Sequence, residues 1–157
     1  MTLDAVAERA GVSKGGLMYN FPTKEALLTA MITRLGTEGD KLREQERAKF
    51  PAGQADELFV EISMFAHLSG NDFRRHAALL AVIATRPELM CSFRDVHKKR
   101  MFEDILAHKD PVRAAILFFA ALGLHFDELL GISFMDVEQR KKVYERLLRL
   151  VVTEDKM

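Results

Sequence analysis

The stretch GVSKGGLMYNF, residues 11–21, gathers the residue types best suited to close-range chemistry. Ser13 offers a hydroxyl, Lys14 a cation and Tyr19 a phenol, while Gly15 and Gly16 offer backbone with no side chain in front of it. A glycine in a helix interior costs about 1 kcal/mol against alanine. In the first turn of a short helix, however, it lets backbone N–H groups approach phosphates or base edges closely. Lys24, a few residues on, adds a second cation. The set suits contact with a nucleic-acid backbone. Close helix–helix packing would explain the two glycines equally well, and the residue pattern alone does not choose. Local charge does not choose either: residues 1–35 hold Arg9, Lys14, Lys24 and Arg34 against Asp4, Glu8 and Glu25, a net of +1.

Catalytic arrangements are scarce. His125 and Glu128 stand at i, i+3, a metal-compatible spacing on a helix, but helical carboxylate-bridged sites take several such pairs from different helices. The sequence holds no second Glu-x-x-His, and His97 with Asp95 or Glu103 is no better placed. Cys91 beside Ser92 has no nucleophile motif around it. Gly15-Gly16 lacks the spacing of a phosphate-cradling loop. The reading is of a protein that is not an enzyme, with no metal and no cofactor.

These residues sit in a chain of 157, of which 48% are apolar, with 11 Phe and 8 Met, enough for a sizeable core. Lys plus Arg equals Asp plus Glu at 23 each, so any nucleic-acid partner must be met by a local patch. The single Cys91 excludes an intrachain disulfide and a four-cysteine metal site. No secretory signal is visible, and a reducing cytoplasm is the expected location. The longest apolar run, Ala114 to Leu124, is eleven residues, too short to span about 30 Å of hydrocarbon. No membrane partner is expected.

The elements that must position the site are helical throughout. Leu3, Val6, Ala7 and Ala10 repeat at helical spacing, with Thr2 as N-cap and Gly11 beyond the C-terminus. Ser13 caps a second helix that ends at Phe21-Pro22. Thr23 caps a third, with Leu27, Leu28, Met31, Ile32 and Leu35 on its apolar side, and Gly36 and Gly39 loosen the stretch beyond it. The charged stretch 40–50 is predicted as an exposed helical extension, and FPAGQAD, 50–56, as a linker. Further helices are predicted at about 55–69, 72–85, 88–107, 112–131 and 136–152. No segment alternates like a strand. The fold class is all-α: a helix-turn-helix segment over 1–35, then a larger helical domain over 36–157.

The string TLDAVAERAGVSKGGLMYNFPTKEALLTAMI closely resembles the DNA-binding segment of the TetR family of transcriptional regulators. Thr2, Ala7, Ala10, Gly11, Val12, Ser13, Lys14, Gly15, Leu17, Tyr19, Phe21, Lys24, Glu25 and Leu27 fall where the family pattern accepts them, without a gap. ALGLHFDELLG, 121–131, resembles the family's penultimate helix. The resemblance implies a ligand-responsive regulator, a repressor, that binds a pseudo-palindromic double-stranded DNA operator as a homodimer. It assigns DNA contacts to Ser13, Lys14, Gly15, Gly16, Tyr19, Asn20 and Lys24, sets Thr2 against a phosphate, and makes Leu17 and Phe21 core. Met18 stands where the family often has an aromatic, and Asn20 where it often has histidine. The family also carries a helix ahead of the position of Thr2. The sequence begins at Met1, so that helix is expected to be missing, leaving the apolar side of Val6, Leu17, Leu28 and Ile32 without its cover. A dimeric ligand-binding module without DNA binding is the alternative.

By the same resemblance the larger part encloses a pocket for an apolar or aromatic effector. Candidates for its wall are Phe65, Phe73, Met90, Phe93, Phe118 and Leu122, with His76, His97 and His125 as polar anchors. Plain core packing explains any one of them. The homodimer interface is expected on the last two helices. Ile116, Phe119, Ala120, Gly123 and Leu124 supply one face, and Val143, Leu147, Leu150 and Val151 the other.

Overall fold

A computed structural model describes residues 2–52, 54–68, 76–77 and 86–153. Seven α-helices and one 3-10 turn make up the secondary structure among the described residues: α1 (Leu3–Ala10), α2 (Lys14–Asn20), α3 (Lys24–Arg47), α4 (Glu57–His67), the turn Pro87–Met90, α5 (Cys91–Leu106), α6 (Pro111–Leu129) and α7 (Val137–Val152). The all-α expectation holds. The helix predicted at 72–85 falls largely outside the described residues.

Local chemistry sets the helix starts. Thr2, Ser13, Thr23 and Asp56 each accept a hydrogen bond from the backbone N–H three residues on, as does Asp110 ahead of Pro111. Asp136 and Gln139 form a reciprocal capping box at α7. Gly11 ends α1 at φ 67°, a left-handed conformation that glycine enters without steric cost.

α3 departs from the sequence reading. It runs unbroken through Gly36 and Gly39 to Arg47, so the expected division at 35/36 falls inside a helix. At 24 residues it is about 36 Å long. Its second half is largely exposed, as expected, but one side of it is pinned to α4. Arg43 is buried, and its Nε and Nη2 bond Glu61 Oε2 and Oε1 of α4 at 2.6 and 3.2 Å. One turn on, Arg47 grips Glu57 in the same two-pronged way, at 2.7 and 2.5 Å. Glu46 accepts from Ser63 at 2.8 Å and from Lys49. Burial works to raise the Glu46 carboxyl, but these hydrogen bonds outweigh it and hold the group below its ordinary range. Paired charges with partners on another helix thus fix one side of this stretch against α4.

α4 is the centre of the core, packed against α3, α6 and α7. Val60 and Ile62 are fully buried, and Leu117, Phe118, Ala121, Tyr144 and Leu147 of α6 and α7 join Leu58, Ile62 and Phe65 of α4 in the core. The Tyr144 hydroxyl donates to the Ala121 carbonyl at 3.3 Å, tying α7 to α6. Burial pushes this phenol up to about 12, against an opposing effect of Arg140.

The side of α1–α3 expected to lack a cover is not bare. Leu17, Leu28 and Ile32 are buried and Val6 is half-buried. The 3-10 turn and α5 both pack on α3, contacts that spacing within the first segment does not reveal.

Candidate nucleic-acid interface

α1 and α2 pack together through the turn at Gly11 to Ser13. α2 is seven residues long and buries one of them, Leu17, which anchors it; the other six face outward. Tyr19 is 88% exposed. Ser13 Oγ accepts from Gly16 N at 3.0 Å and keeps its own O–H as a donor. Asn20 spends its amide on the Gly16 carbonyl at 3.1 Å. Thr2 and Lys24 are exposed at the starts of α1 and α3.

The two glycines separate here. A Cβ on Gly16 would sit 3.1 Å from Ser13 Oγ, a tight contact that the serine side chain must give way to by a few tenths of an ångström. A Cβ on Gly15 would meet nothing within 4 Å. Packing inside the chain therefore gives no reason for Gly15, and its bare backbone faces open space.

Three charged neighbours of this surface escape a reading by local spacing. Lys14 Nζ lies 2.8 Å from Asp4 Oδ1 of α1. Glu25, beside Lys24, is paired by Arg86, which enters from the chain just ahead of the 3-10 turn. Arg86 also reaches Glu88 at 3.2 Å. The Asp4–Lys14 and Glu25–Arg86 contacts join separate elements, so no helical periodicity announces them.

The effector candidates divide. His125 is buried and stacks on Phe65, ring centres 5.1 Å apart and planes at 21°. His76 meets His125 edge-on at 5.3 Å, and Phe118 lies 6.4 Å from Phe65. Burial, with a smaller contribution from His76, lowers the His125 imidazole to about 4, so it is neutral at pH 7. Leu122 is half-buried against the same core. Phe73 lies outside the described residues, and Met90, Phe93 and His97 are placed by their backbone alone, in the 3-10 turn and α5. A groove of about 270 Å³ opens between α3 and α4, where Leu35, Gly39 and Leu42 face Met64, Leu68 and His76. Sequence spacing does not announce the contribution of α3 to this groove; Gly39, a glycine kept in mid-helix, is its one visible sign.

The interface candidates divide as well. Ile116 and Phe119 are 63% and 62% exposed, and Ala120 and Gly123 share their outward face of α6. Leu124, Val143 and Leu150 are half-buried, whereas Leu147 and Val151 lie in the chain's own core. The face of α7 that carries these last two is turned toward α4, which needs it for cover. Among the described residues no group of three metal-ligating side chains assembles, and no helix is long and apolar enough to cross a membrane.

Residues 1–31 match the family model described as bacterial regulatory proteins, tetR family, and residues 55–152 match that described as tetracyclin repressor-like, C-terminal domain. No curated protein matches the chain. With more than half its length under the second model and its helix-turn-helix under the first, the chain belongs to the TetR family of DNA-binding transcriptional regulators, which are not enzymes.

Proposed function

We propose that the chain is an effector-responsive repressor that grips a two-fold operator as a cytoplasmic homodimer, with α2 entering the major groove. Residues 1–35 form the reading unit and 36–157 the effector and dimer unit, with α3 as the rod through both. Lys14, the open backbone at Gly15 and Gly16, Ser13 and Tyr19 contact bases or phosphates. Asn20 lies at the same face, and Thr2 and Lys24 flank it on the phosphates. One observation carries this reading: six of the seven residues of α2 face outward, and Gly15 is bare for no internal reason. A helix that buries a single leucine in its own chain is built to meet something else.

The dimer contact belongs on the outward stripe of α6, Ile116, Phe119, Ala120 and Gly123, where large apolar side chains stand in solvent. The effector, apolar or aromatic, belongs near Phe65, Phe118, His76 and His125. A ligand there would press on α4, and the Arg43–Glu61 and Arg47–Glu57 pairs would pass the shift to α3 and so to α2. Such coupling is reciprocal and typically about 1–3 kcal/mol.

Lys14→Ala tests the reading. Affinity for a short DNA duplex should fall roughly tenfold and the salt dependence should flatten by about one unit of slope, while the oligomeric state is unchanged. Unaltered DNA binding by this variant would remove α2 from the interface.

A further inference from the structure

We propose that Asp4 is an intramolecular competitor for Lys14, one that sets the strength and salt dependence of DNA binding. The inference rests on the reading of α2 as the DNA-facing helix. Asp4 lies in the first turn of α1, and its carboxylate is 2.8 Å from Lys14 Nζ. Both side chains are well exposed, 64% and 60%, so the pair stands in water on the surface that carries the start of α2. For Lys14 to reach a phosphate, its ammonium must leave the carboxylate. Exposed ion pairs are weak, so the exchange is easy, yet it is a cost that an unpaired lysine would not carry. DNA presents a charge about every 1.7 Å along its axis, and Asp4 then stands as a like charge beside it.

Glu25 offers the contrast. It flanks Lys24 at the other end of the same unit, but its charge is met by Arg86, brought in from a distant stretch of chain. The Asp4 charge is met by Lys14 itself, a residue the interface uses.

The test is a double-mutant cycle read by fluorescence anisotropy on a labelled duplex of mixed sequence, at low and moderate salt. Mixed sequence suffices because the phosphate term does not depend on sequence. Asp4→Asn should tighten binding roughly 3- to 10-fold at low salt, with the gain shrinking as salt rises. In the Lys14→Ala background most of the gain should disappear, leaving only the direct repulsion between Asp4 and the DNA. Asp4→Ser, which keeps a polar side chain in the first turn of α1, should reproduce it and so separates the effect from any loss of helix stability. No gain from Asp4→Asn or Asp4→Ser overturns the proposal. An equal gain with and without Lys14 also overturns it, because a general field rather than competition would then be at work. Failure of Lys14→Ala itself to weaken binding instead overturns the reading of α2, and the two failures are distinguishable in one experiment.

Discussion

The α1–α2 unit and the helices gathered round α4 solve opposite problems. The first is held by local devices: the Thr2 and Ser13 caps, the left-handed Gly11, one leucine turned inward and an exposed ion pair. The second is held by contacts between residues far apart in sequence, Arg43 with Glu61, Tyr144 with Ala121, His125 with Phe65. A surface meant to meet another molecule leaves its side chains unspent and takes its stability from caps. A core that must hold one shape spends charge and aromatic rings on its own interior. Perturbing the core should therefore cost stability, and perturbing the reading unit should cost binding.

The largest expected effect is in the core. Glu61→Ala removes the two-pronged partner of the buried Arg43 and leaves it the Asp40 contact at 2.8 Å, so stability should fall by about 3 kcal/mol, read from the urea midpoint. If it instead left stability intact and altered only DNA affinity, the division would be wrong.

Next comes pH. The imidazole of His125 titrates near 4 in the folded chain and near 6.5 when unfolded. The unfolded state therefore binds the extra proton first. Stability is full above pH 6.5 and falls as pH drops toward 4, by about 3 kcal/mol in all. His125→Phe should flatten the dependence of the urea midpoint on pH in that window.

A smaller effect sharpens the other side. Ser13→Ala removes the α2 cap and should cost about 1 kcal/mol locally. Amide exchange should quicken across residues 14–20 and stay unchanged across α4.

The same contrast explains what was legible. The limits of α1 and α2 could be read to the residue, because their caps lie within three positions of the groups they satisfy. The candidate site motif could be picked out for the same reason, since Ser13 to Tyr19 is contiguous. The length of α3 was not. Gly36 and Gly39 suggested a weak point, and the partner that buries Arg43 lies 18 positions away. Asp4 was invisible as a partner of Lys14 because their meeting depends on the turn between two helices. Exposure obeyed the same rule. Val143, Leu147, Leu150 and Val151 form one apolar face by spacing, and spacing cannot say that α4 already covers part of it.

Gly15→Ala, measured for stability and duplex affinity side by side, tests most directly whether α2 is shaped by DNA rather than by its own chain. The added Cβ meets nothing within 4 Å, so helix propensity should leave stability equal or raise it by up to about 1 kcal/mol. Duplex affinity should fall while the thermal midpoint holds or rises. Higher stability with unchanged affinity would contradict the assignment, showing that nothing approaches the backbone at Gly15.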